Sequence, residues 1–227
     1  FEMPFMMQNP EATSKALWDY VEQYASAEFK DVKPLAFHVH GDGVFHMTNK
    51  PIKTMADLKG LKIRMQPNET HLATFRALGA NPLAMDIKEV YSAMEQKVID
   101  GHENPYALIL TSRFNEVQKH LSNTAHFFDF IAVVANKKKF DGLSAEHKKI
   151  VQTAMSNAIK AQRTMATKAD AESLAELQKK GMTYTEMPAS EREAMRKATA
   201  GVVDDVKKRV GGTLVDQVLD AVKKAGG

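Results

Sequence analysis

The sequence predicts an α/β protein organised around a parallel sheet, and three observations carry that expectation. Between residues 61 and 101, apolar runs of period two alternate with runs of helical period, separated by short loops. Strand, helix, strand, helix in this rhythm is the mark of βαβ units. The apolar run at 127–135 is long for a strand of a small sheet and reads as a segment crossing between two lobes. Residues 144–181 keep helical periodicity without an interior Pro or Gly, well beyond the ~8–20 residues of an ordinary globular helix. Such a helix either kinks, here near 164–167, or spans two lobes.

The elements follow in order. "PEATSKALWDYVEQYASAEFK" opens at Pro10 and spaces Ala16, Leu17, Tyr20, Val21 and Tyr24 as one helix face. "PLAFHVHG" alternates Leu35, Phe37 and Val39 and ends at glycine, as a strand does. In "TMADLKG", Thr54 caps a single turn closed by Gly60. Leu61, Ile63 and Met65 then form the buried face of a strand whose other face carries Lys62 and Arg64, stopping at Pro67. "NETHLATFRALGA" puts Leu72, Phe75 and Leu78 on one helix face, "NPLAM" is a short strand, and "DIKEVYSAMEQKVIDG" is a helix capped by Asp86 that buries Val90, Met94 and Val98. The long helix carries Ile150, Met155, Ile159, Leu174 and Leu177 in register. "MTYTEM" is a last strand, and two helices follow around 195–210 and 214–222.

Composition narrows the function classes. The chain has 227 residues, 44% hydrophobic and 26% charged, which suits one large domain or two small ones. The formal charge of +3 is spread among mixed signs and aromatics are few, so no nucleic acid partner is expected. "NKKKF" is the densest basic run and reads as a solvated loop. The absence of cysteine excludes disulfides and thiolate chemistry. No apolar run approaches the ~20 residues of a membrane span, and the opening "FEMPFMMQNPEA" suggests a processed chain or a fragment. No G-x-S-x-G, Walker loop or G-x-G-x-x-G occurs, no cofactor is called for, and hydrolase chemistry has no carrier.

Three features remain. His38 and His40 form H-x-H on a strand and His46 follows closely, a pattern that suits a metal only with further ligands and second-shell partners. Arg64 stands at a strand end, where ligands of open α/β sheets collect and a guanidinium forks a carboxylate. Taken alone, it reads first as a solvated strand residue. "VIDGHENPYALIL" changes this, because Asn104 follows a second helix-to-strand connection and offers amide donors and an acceptor to the same crevice.

"PIKTMADLKGLKIRMQPN" followed by "ALGANPLAMDIKEVYSAMEQKVIDGHENP" resembles the solute-binding proteins of tripartite ATP-independent periplasmic (TRAP) transporters, the DctP-like family. The family pattern Pro-[VI]-x-[ST]-x-x-Asp-[LM]-Lys-Gly-[LM]-Lys-[ILV]-Arg, Leu-Gly-Ala-x-Pro-x-x-Met, Glu-Val-Tyr-x-Ala-[LM] and Asp-Gly-x-Glu-Asn-Pro is matched in order from Pro51 to Pro105. Looser similarity covers most of the chain. The resemblance implies a two-lobed periplasmic binding protein fold with crossing hinge strands and a long kinked helix, lobe I from 1–41 and 130–169, lobe II from 42–129 and 170–227. It implies a periplasmic protein that is not an enzyme, capturing a small organic acid between the lobes and delivering it to membrane permease subunits. Arg64 is then the residue that forks the carboxylate, Asn104 its polar partner, Ile87 a wall, and Met65 and Phe128 side chains that shape the pocket. A monocarboxylate, or a hydroxy or keto acid, is expected over a sugar acid.

Two departures stand out. Many members carry a second arginine in a Gly-x-Arg context before the Pro-Ile segment; here the region reads "HGDGVFHMTNKP", and His46 is the candidate replacement. Members also usually have a leading segment with the first strands before Pro4-Phe5, so a fragment with open sheet edges is expected. A sensory ligand-binding domain of the same fold, or a metal-dependent enzyme using His38, His40 and His46, are the alternatives.

Overall fold

The computed structural model describes residues 3–6, 29–42, 44–47 and 50–224. The helix expected from Pro10 onward lies outside the described residues. Two strands, β1 (Val32–Asp42) and β7 (Phe128–Asn136), form an antiparallel pair. The other six form a second sheet: β2 (Val44–Met47), β3 (Lys62–Met65), β4 (Asn81–Ala84), β5 (Gly101–Asn104), β6 (His120–Asn123) and β8 (Thr183–Glu186). Their spatial order is β4-β3-β5-β2-β6-β8. β3 runs parallel to β4 and β5, and β6 parallel to β8, as βαβ units require. β2 is antiparallel to both neighbours, so the sheet is mixed where a parallel one was expected.

The chain enters the second sheet between Asp42 and Val44 and leaves it between Asn123 and Phe128. The β1–β7 pair is therefore the segment through which the chain enters and leaves the six-stranded sheet at this point. The helices are α1 (Glu69–Ala77), α2 (Ile87–Glu95), α3 (Tyr106–Thr111), α4 (Lys137–Asp141), α5 (Ala145–Lys179), α6 (Ala189–Ala198), α7 (Ala200–Val210) and α8 (Gly212–Lys224).

Capping fixes where the helices begin. The Asn68 side chain accepts from Thr70 N at 2.9 Å, Asp86 from Lys88 N at 2.9 Å, and Ser144 from His147 N at 3.1 Å. Ahead of β3, the Asp57 carboxylate takes the Lys53 and Thr54 amides at 3.0 Å. Burial pushes that carboxyl up, but these donors hold it below its ordinary value. Gly60 and Gly79, with φ of +77° and +86°, turn the chain in the left-handed region, and Gly60 N donates to Gly79 O at 2.8 Å.

Both faces of the six-stranded sheet are covered. One face packs Ile52, Leu58, Ile63, Met65, Phe75, Phe127 and Met195 beneath α1 and α6. The other packs Val90, Met94, Ile109, Phe114, Leu121 and Leu177 beneath α2, α3 and the carboxyl end of α5. A third core under α8 joins Val215, Val218 and Val222 to Met3, Met6 and Phe128. Phe5 belongs to the first core, and its amide donates to His126 O at 2.7 Å. Residues 3–6 thus pack with the six-stranded sheet and α8, not with β1, where the sequence-based division grouped them.

The long helix runs without a break from Ala145 to Lys179 and packs on both β1 and α3. Thr164 Oγ1 bonds back to Lys160 O at 3.2 Å, a contact that bends helices without interrupting them. Ile159 and Leu177 are buried as expected, whereas Ile150 is exposed. Val98, expected on the buried face of α2, is also exposed. The helix ends at Glu95, Lys97 takes a left-handed φ of 59°, and Ile99 becomes the buried residue.

Candidate functional site

β3 and β5 end side by side, and the reason lies in the "IDGHENP" segment. The Asp100 carboxylate accepts from Lys62 N at 2.8 Å, and Asp100 N donates to Lys62 O at 2.8 Å. This double tie sets Ile63 opposite Gly101 and Arg64 opposite His102. The register continues through His46 on β2 and Leu121 on β6, and outward to Leu83 on β4. Arg64 and His102 therefore occupy one row across the sheet, with Asn104 two residues further on the same face of β5.

Arg64 is not a solvated strand residue. Only 4% of it is exposed, because β3 is an inner strand covered on both faces. Its Nε donates to Met85 O at 2.8 Å. Among the described residues, no carboxylate pairs with it and its terminal amines meet no acceptor. Burial pulls the guanidinium below its ordinary value, while the Glu103 and Asp86 charges draw it back up, and an arginine so placed stays charged. A buried cation with uncommitted, fork-shaped donors is built to receive an anion.

Asn104 is also buried. Its Nδ2 lies 2.9 Å from His102 Nδ1, and its Oδ1 takes no donor from the protein among the described residues. His102 is fully buried and meets the Phe114 ring edge-on at 4.7 Å. Immediately beyond, the Asp170 carboxylate on α5 accepts the Tyr106 and Ala107 amides, holding the start of α3. Burial raises that carboxyl to about 6, against the lowering effect of those two donors. The long helix thus grips the turn that carries Asn104.

Glu103, between the two, faces the opposite side of the sheet. Its Oε2 is 3.4 Å from His126 Nε2, and His126 Nδ1 lies 2.6 Å from Thr124 Oγ1. His71 stacks on Phe127 at 4.1 Å and meets Gln66 Nε2 through Nδ1 at 3.1 Å. Burial pushes the Glu103 carboxyl up, but the His126 hydrogen bond and the charges of His126, His71 and Arg64 bring it below its ordinary value. Sequence reasoning missed this network. One signal existed: His71 falls on the same helix face as Phe75 and Leu78, where an apolar residue belongs.

The remaining expected residues divide. Ile87 is half-buried at the first position of α2, next to the Met85–Asp86 turn that holds Arg64. Met65 is fully buried in the core on the face opposite Arg64, and Phe128 lies in the core under α8. Strand alternation sends Met65 away from the Arg64 face. The backbone sets His46 opposite His102; its side chain, like those of His38 and His40, lies outside what the structure describes. The register of β1 slips between Val39 and Gly41, which interrupts the alternation assumed for H-x-H. Among the described residues, no group of three His, Cys, Asp or Glu is arranged to hold a metal, and no helix is long and apolar enough to cross a membrane.

Residues 1–209 match a known family model, described as bacterial extracellular solute-binding protein, family 7. The chain belongs to this family. It is similar to the 2,3-diketo-L-gulonate-binding periplasmic protein YiaO of Escherichia coli K12, 41% identical over 64% of this chain and 45% of its own length. The C4-dicarboxylate-binding periplasmic protein DctP of Rhodobacter capsulatus is 31% identical over 99% of this chain and 67% of its own. Among solved structures, the sugar acid binding protein DctPAm of Advenella mimigardefordensis, in complex with galactonate, superposes with a TM-score of 0.86 at 31% identity, covering 99% of this chain and 73% of that one. The chain therefore spans about half to two thirds of the length of these curated relatives, and its fold is the α/β fold of the family 7 binding proteins.

Proposed function

We propose that this chain is the ligand-capturing part of an extracytoplasmic binding protein that holds a small organic acid and hands it to the permease subunits of a TRAP-type secondary transporter. The observation that carries the reading is the Arg64 guanidinium, buried at the carboxyl end of parallel strands with its terminal amines uncommitted. A carboxylate docked there completes the charge and takes the fork bidentately. Asn104 adds a polar contact and Ile87 an apolar wall. The periplasmic location printed for YiaO and DctP, and the acids named for YiaO, DctP and DctPAm, support a periplasmic location and this ligand class.

The six-stranded sheet is the core of one lobe, and β1, β7 and the unbroken α5 lead from it towards the other as the connections through which the lobes hinge. Closure would bring the second lobe over Arg64 and exclude water, strengthening its pairing with the acid. The protein binds and releases its ligand unchanged, without cofactor, metal or nucleic acid, and is not an enzyme. His46, in the same row as Arg64 and His102, is the position from which a second cationic contact would come.

A thermal-shift screen of the full-length protein tests this directly. At a hundredfold excess over Kd, a ligand binding only the folded state adds about 2.7 kcal/mol, a rise of about 5–10 °C for a protein of this size. Organic acids should produce that rise and their carboxamide counterparts should not. Equal shifts from acids and amides would contradict a carboxylate site.

A further inference from the structure

The sequence motif around Asn104 is Gly-His-Glu-Asn-Pro, and the histidine does something the surrounding motif does not require of it. An asparagine amide has two ends of similar shape and opposite polarity, and rotation by 180° about its last bond exchanges donor for acceptor. Which end meets a ligand is decided by whatever holds the other. Here Nδ2 lies 2.9 Å from Nδ1 of the fully buried His102. An amide N–H can only donate, so Nδ1 is the acceptor and the ring proton sits on Nε2. With Nδ2 tethered, Oδ1 is the free end, and it takes no donor from the protein among the described residues.

We infer that His102 is a positioning residue that fixes the Asn104 amide with its oxygen towards the ligand, making the site selective for 2-hydroxy acids over the matching 2-oxo acids. The inference rests on the reading that Arg64 and Asn104 hold the ligand. Register and strand rise put the Arg64 and Asn104 Cα atoms about 8 Å apart, so an acid forked by Arg64 presents its first carbons to Asn104. A 2-hydroxyl donates its proton to Oδ1. A 2-oxo group has only acceptor lone pairs, and against Oδ1 it leaves two buried acceptors facing each other without a proton, which is the costly arrangement. The His102 ring is itself fixed by its edge-on packing on Phe114 and by its place in β5 between β3 and β2, so the tether does not swing.

The test measures affinities of the full-length protein for four matched pairs: lactate and pyruvate, malate and oxaloacetate, pantoate and 2-oxopantoate, gluconate and 2-oxogluconate. At least one hydroxy acid should outbind its oxo partner about tenfold or more. His102→Phe keeps a ring against Phe114 but removes the acceptor, frees the amide to rotate, and should bring that ratio close to one. His102→Gln restores an acceptor and should restore much of the preference. A panel in which no hydroxy acid outbinds its partner overturns the inference, as does a ratio that survives in His102→Phe. Asn104→Ala separates the layers. If it weakens the acids while His102→Phe leaves the ratio intact, the positioning role fails and the site stands; if it changes no affinity, the site reading itself fails. Independently of any variant, the imidazole 15N signals of His102 should report a bare Nδ1 and a protonated Nε2, and a protonated Nδ1 would overturn the assignment.

Discussion

His102, Glu103 and Asn104 are consecutive residues of one strand, yet they serve two different polar environments. On one face, Glu103 lies 3.4 Å from His126, whose ring also meets Thr124, and it feels the charge of His71, which is paired with Gln66. On the other face, Arg64 spends a single N–H on Met85 O, and Asn104 a single contact on His102. A buried carboxylate with its counter-charges inside the protein is tied to the fold itself. A buried polar group left incompletely paired costs stability unless something arrives to complete it. The contrast separates polar residues that hold the sheet together from those that await a ligand, although Glu103, Arg64 and Asn104 are all buried.

Substitutions should break the two faces in opposite ways. Glu103→Leu removes the partner of His126 inside the core and should lower unfolding stability by about 3–5 kcal/mol, read from denaturant midpoints. Arg64→Leu replaces an incompletely paired buried charge by an apolar group, so ligand-free stability should hold or rise in the same measurement. A similar loss from both changes would erase the distinction. Asn104→Ala should weaken acid binding by about 1–2 kcal/mol with little effect on the ligand-free midpoint, as calorimetry and melting together would show.

The smallest effect is in pH. Asp170 has a folded pKa of about 6 against an ordinary 3.8, so its contribution favours the folded state below pH 3.8 and is lost as pH rises through 6. Glu103 is shifted down, so its contribution is present above its ordinary 4.5 and lost as pH falls below it. Melting curves of Asp170→Asn between pH 4 and 6 should therefore fall less with rising pH than those of the parent. An unchanged slope would remove Asp170 from the account.

Much of this was legible in the sequence. Apolar spacing located the strands and helices around Arg64, and the interval between Arg64 and Asn104 located the residues that the sheet brings to one face. The failures have physical causes. Alternation in "LKIRM" distinguishes two faces but cannot say that both are covered, so taken alone it makes Arg64 a solvated residue when it is buried, and it does not show that Met65 packs in the core on the opposite face. The Glu103, His126 and His71 grouping joins three elements across long loops, and no local spacing announces it.

The central claim is that Arg64 forks the ligand carboxylate. Calorimetric titration of the full-length protein and its Arg64→Leu variant, with the acid giving the largest thermal shift, tests it most directly. The account predicts a loss of about 2–5 kcal/mol in binding free energy, with the variant still folded. Unchanged affinity in a folded Arg64→Leu protein would contradict it.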